Sequence, residues 1–136
     1  MSPKLDAVQK FKETLETGNF DLVTPFMLDD FTHEMFPKAL GVPKQSKEQW
    51  KVNTGKTVGA FKTIKVNLHN IVESPGAVAL QSTMETSGPD VTGEFVFFFR
   101  FENDEAGVPR ISSISEFVDS QLMAQLLTMI SPAAAQ

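Results

Sequence analysis

A chain of 136 residues, 41% hydrophobic and 21% charged, has the length and make-up of one globular domain able to bury a core. Its net charge of −5, with Lys and Arg scattered, offers no basic patch for nucleic acid or an anionic membrane. The absence of cysteine removes disulfides, zinc–thiolate sites and a cysteine nucleophile.

No apolar run reaches the length of a signal-peptide core near the start or of a membrane span elsewhere, so a cytoplasmic protein is expected. Aromatic usage is lopsided, with 12 Phe, 1 Trp and no Tyr. A Phe-rich core can enclose a large apolar pocket, and without Tyr no phenol serves as proton donor or oxyanion stabiliser.

Ser2 and Pro3 suit an N-cap and a first helical residue. Leu5, Val8, Phe11 and Leu15 follow at helical spacing up to Gly18, which predicts a helix over 3–17. Asn19 caps a short second helix expected to reach about Met27, its length limited by Pro25. Phe31 to Phe36 reads as a short strand with Phe31, His33 and Met35 on one face, and Pro37 ends it. Ser46 and Gln49 match a capping box, which predicts a helix over about 47–61 with Trp50, Thr54, Val58 and Phe61 on one side. Its Gly55-Lys56-Thr57 is no phosphate loop, because Trp50 stands where that motif needs Gly and no strand precedes it.

From Ile64 onward the period is two. Ile64, Val66 and Leu68 alternate with Lys65, Asn67 and His69 before a turn at Ser74-Pro75-Gly76. Val78 to Thr86 alternates again and turns at Ser87-Gly88-Pro89-Asp90. Phe95, Phe97, Phe99 and Phe101 share one face of the next strand, opposite Glu94, Val96, Phe98 and Arg100. The segment from Arg110 to Asp119 is the last strand. Alternation places Ser112, Ile114, Glu116 and Val118 on one face and Ile111, Ser113, Ser115 and Phe117 on the other. Asp119 reads as the N-cap of a closing helix with Leu122, Leu126, Met129 and Ile130 inward, followed by a frayed tail at 131–136. Helices, a short strand, a helix, four long strands and a last helix make an α+β domain. Its consecutive hairpins imply a twisted antiparallel sheet with helices over one face.

Glu116 is the residue that asks for an explanation. A carboxylate inside a strand, between Ile114 and Val118, has left water and needs a partner. His33, inward on the first strand, is the candidate. An imidazole–carboxyl pair in an apolar pocket can move protons near neutral pH, which suits proton abstraction beside a carbonyl, isomerisation, aldol-type closure or dehydration. The same pair can also be structural in a pocket that only binds. Glu94 and Arg100 read as a solvated or dimer-facing pair, and His69 as exposed. No His/Asp/Glu cluster has metal-ligand spacing and no cofactor motif is present, so neither metal nor cofactor is expected.

The element order, with Thr32-His33 through Phe36-Pro37, Ala39-Leu40-Gly41, and Arg110-Ile111 through Glu116-Phe117-Val118-Asp119, resembles the NTF2-like superfamily, and within it SnoaL-like polyketide cyclase-type proteins. The resemblance spans roughly residues 4–128. It implies a cone, a curved sheet wrapped around the N-terminal helices, with an apolar interior pocket and often a sheet-to-sheet homodimer. It also implies that Glu116 stands where such cyclases carry an inward Asp as general acid or base, and that His33 stands at a pocket-facing polar position. The pocket wall is then expected from Phe31, Met35, Phe36 and Trp50, with Met84, Phe95, Phe97, Phe99 and Ile114 from the later strands. Some signatures of relatives are missing: Leu80 to Thr86 holds no Arg-x-Asp, Phe95 to Phe101 holds no His, and Tyr is absent altogether. The implied ligand is a small apolar carbonyl compound, polyketide- or terpenoid-like, handled by His33 and Glu116 without a cofactor. A non-catalytic small-ligand binder and a dimerisation module stay open beside that reading.

Overall fold

In a computed structural model of the chain, residues 2–130 are described, with side chains through 125. The tail at 131–136 and the inward positions expected for Leu126, Met129 and Ile130 lie outside them. Helix α1 spans Pro3–Thr17, capped by the Ser2 side chain and closed at Gly18, whose φ of 73° and N–H bond to the Thr14 carbonyl form a left-handed cap that glycine adopts without strain. In place of a second helix the chain makes two 3₁₀ turns, Phe20–Leu22 and Thr24–Phe26. Pro25 has no N–H to continue an α-helix, so the segment ends in tight turns and enters strand β1 at once.

Strand β1 is Met27–Phe36, four residues longer at its start than the sequence pattern indicates. Asp29 and Asp30 are exposed where its register against the last strand shifts. A two-residue strand, β2 (Gln45–Ser46), precedes helix α2 (Lys47–Gly59). Both halves of the Ser46–Gln49 capping box are formed, an arrangement worth about 1 kcal/mol. Strands β3 (Thr63–Ser74), β4 (Ala77–Ser87), β5 (Val91–Asn103) and β6 (Pro109–Val118) then run as hairpins, and α3 (Ser120–Ile130) closes the described chain. Asp119 caps α3, its Oδ1 accepting the N–H groups of Gln121 and Leu122.

The sheet order is β2-β1-β6-β5-β4-β3, and every neighbouring pair is antiparallel except β1 and β6. That parallel pairing is non-local: the chain leaves β1, builds the hairpins and returns to lie beside it. It sets His33 level with Ile114 and Met35 level with Glu116. A bulge falls at Ser112, since Phe101 pairs with Ile111 and Arg100 with Ser113. The extra residue reverses the alternation, so Ile111 faces inward and is fully buried. Simple parity had placed it outward.

The concave face of the sheet holds the core. Phe95, Phe97, Phe99 and Phe101 are all buried there, and Phe11 of α1 meets Phe97 and Phe99 edge-on at centroid distances of 5.2 and 5.1 Å. Trp50 stacks over Phe11 and is met edge-on by Phe20 and Phe31. Glu16 joins α1 to β3 by accepting the Val66 N–H at 2.9 Å. Gly93 lets α3 approach β5, because a Cβ there would collide with a methyl carbon of Leu122.

Candidate active site

The cone encloses a cavity of about 380 Å³. Phe11 and Leu15 of α1, Trp50 of α2, Ile64, Met84, Val91 and Phe95 of the sheet, and Leu122 and Met123 of α3 line it. Its polar groups concentrate where β1, β2, β6 and α2 converge. There His33, Gln45, Asn53 and Glu116 reach the surface of a mainly apolar space.

Each of these is placed by local structure. His33 follows Phe31 on the inward face of β1, and Gln45 is its direct antiparallel partner on β2. Ser46 starts α2, and two turns later Asn53 returns over Gln45. Glu116 lies on β6 between Met35 of β1 and Phe97 of β5.

The four side chains form one line of hydrogen bonds. Asn53 Nδ2 donates to Gln45 Oε1 at 2.6 Å, and Gln45 Nε2 lies 3.1 Å from His33 Nδ1. His33 Nε2 lies 3.0 Å from Glu116 Oε1. Among the described residues no side chain or backbone group bonds the second oxygen of Glu116, which leaves Oε2 available to a molecule in the cavity. A carboxylate held on one oxygen by an imidazole, with the other facing apolar space, can accept a proton from carbon or oxygen and return it. Lys56 is the other charged residue on the cavity lining. Among the described residues no group of His, Asp and Glu could hold a metal ion.

Of the wall residues expected from sequence, Met35, Trp50, Met84 and Phe95 line the cavity. Phe31, Phe97, Phe99 and Ile114 are instead packed in the core beneath it, their space taken by Phe11 and Trp50. Phe36 is on the other side of the sheet altogether, stacked on Phe117 at 4.8 Å, because alternation from His33 points it outward. Glu94 and Arg100 are exposed on that outer face, and His69 is exposed at a β3 bulge, bonded to Thr83. Gln45 and Asn53 are the residues that sequence reasoning missed. The capping box, which begins one residue after Gln45 and ends four before Asn53, was the available signal, since it fixes where α2 begins and so what faces His33.

A curved sheet wrapped around α1 and α2, with a carboxyl on the last strand facing an interior cavity, defines the NTF2-like α+β cone. The SnoaL-like domain family model matches residues 8–106, and the chain belongs to that family. Solved structures of similar fold include AusH from Aspergillus nidulans, 21% identical over 87% of this chain and 84% of that one, with a TM-score of 0.72. BvnE pinacolase from Penicillium brevicompactum is 15% identical over 98% and 92%, with a TM-score of 0.74. An NTF2-like protein of unknown function from Cytophaga hutchinsonii is 19% identical over 91% and 96%, with a TM-score of 0.67. At these identities the likeness establishes the fold. A search of curated proteins found no match. No described helix is long and apolar enough to cross a membrane.

Proposed function

We propose that the cavity carries out cofactor-independent acid–base chemistry on a small apolar carbonyl compound of polyketide or terpenoid character. The observation that carries this reading is the 3.0 Å contact between His33 Nε2 and Glu116 Oε1 at the polar end of an apolar cavity of about 380 Å³. Glu116 takes a proton from the carbon beside the carbonyl, and His33 holds the carboxylate in place through Nε2–H. The Phe, Met and Trp50 wall excludes water, which strengthens every charge interaction inside. A neighbouring fold that is a pinacolase supports chemistry on oxygenated organic molecules, and the SnoaL-like family supports a cyclase, isomerase or dehydratase class.

Native mass spectrometry of the purified protein should show a retained apolar compound, and Glu116→Gln should stop its conversion while leaving the fold intact. Undiminished conversion by that variant would remove Glu116 from the mechanism. A carrier without catalysis is the second reading, favoured by a wall that is apolar over nearly its whole extent. It requires retention of the ligand unchanged by both wild type and variant.

We also propose a homodimer through the outer face of the sheet. Phe36, Phe98 and Phe117 form an aromatic cluster there, with Phe98 and Phe117 40% and 44% exposed. Light scattering should give twice the chain mass, and Phe117→Lys should give one.

A further inference from the structure

The line of hydrogen bonds behind Glu116 has a direction, and the direction decides which member of the pair carries the proton. Gln45 presents its NH₂ group to His33, and an amide nitrogen only donates. Nδ1 must therefore be the bare, accepting nitrogen. The ring's proton is then on Nε2, where it is donated to Glu116. Gln45 can take this orientation because its oxygen already receives the Asn53 NH₂ at 2.6 Å.

We propose that Gln45, oriented by Asn53, is a positioning residue that locks His33 as the neutral, Nε2-protonated imidazole. The inference rests on the acid–base reading of the same site and assigns its proton carrier: a proton taken up from the ligand stays on Glu116. Protonating Nδ1 would turn two donors towards each other in a buried place, where neither finds water. Gln45 cannot swing aside, since it is buried and its backbone pairs directly with His33. Only its amide could rotate, which would oblige Asn53 to rotate with it. The charged groups that share the cavity lining with the ring are Glu116 of β6, which it contacts, and Lys56 of α2; α1 contributes Phe11 and Leu15.

The test needs no substrate, so it stands apart from the fate of the catalytic reading. The chain has two histidines, and the exposed His69 serves as an internal reference in ¹⁵N NMR of the imidazole nitrogens. His69→Gln assigns the two sets of signals. In the wild type, the His33 ring signals are expected to show a bare Nδ1 and a protonated Nε2, read against those of His69. Asn53→Asp replaces the donor to Gln45 by an acceptor and should reverse the Gln45 amide, moving a proton onto Nδ1. Gln45→Leu, combined with Asn53→Asp, should abolish that response. Asn53 is exposed, so its change leaves the core untouched. A wild-type ring already protonated at Nδ1, or ring signals that ignore Asn53→Asp, would overturn the proposal.

Discussion

Strand β6 presents Arg110 to Asp104 at its start and Glu116 to His33 six residues later, and both contacts measure 3.0 Å. Their surroundings differ. The Arg110 and Asp104 side chains are 29% and 25% exposed, those of His33 and Glu116 2% and 12%. Asp104 also accepts the N–H groups of Ala106 and Val108, and Arg110 donates to the Pro25 carbonyl, so the first pair fastens the β5–β6 turn to the entry of β1. The second pair stands in low-dielectric space with one carboxylate oxygen turned to a cavity. Equal distances therefore carry unequal consequences: water screens the first pair more than the second.

The largest expected difference is in chemistry. Glu116→Gln should lower turnover of the cavity ligand by about 10²–10⁴-fold, the usual worth of a positioned acid–base group, whereas Arg110→Gln should leave it unchanged. Initial rates on the compound that copurifies with the protein measure both. Stability should separate the ends next. His33→Leu strands a buried carboxylate and should cost about 3 kcal/mol in urea unfolding, and adding Glu116→Leu should recover much of it. Arg110→Gln should move the midpoint far less.

Gly93 sharpens the contrast at the same end of the cone, where Leu122 seats α3 against β5. Gly93→Ala forces that contact apart and should cost about 1–3 kcal/mol, with hydrogen exchange rising first in α3. The smallest effect belongs to pH. The Val108 N–H bond, and then the Arg110 guanidinium, hold the Asp104 carboxyl below the usual aspartate range. Its contribution is therefore fully present above the unfolded aspartate value of about 3.9 and is lost as pH falls below it. Asp104→Asn should lower stability by a constant amount from neutrality down to about pH 4 and flatten the acid side of the curve below it, as thermal melts across pH would show.

What the sequence made legible follows from local rules. Ser2, the Ser46–Gln49 box and Asp119 cap their helices through side chains within three residues of the backbone they serve. Alternation put His33 and Glu116 inward, and both face the cavity. The rest depended on partners distant in the chain. The bulge that turns Ile111 into the core arises from pairing with Phe101, and the parallel β1–β6 ladder joins segments some eighty residues apart. Gln45 lies in a strand of two residues, too short for any periodicity, and gains its meaning only from His33 opposite. Phe31, Phe97 and Phe99 were legible as inward, yet whether an inward aromatic walls a cavity or fills the core depends on what packs over it, here Phe11 and Trp50.

Glu116 as proton carrier is tested most directly by hydrogen isotope exchange. The carbonyl compound recovered from the protein is incubated in D₂O with wild type or with Glu116→Gln, and deuterium beside the carbonyl is followed by mass spectrometry. Wild type should incorporate deuterium well above the uncatalysed rate and the variant should fall to that rate. Equal incorporation by both, or none by wild type, would contradict the role given to Glu116.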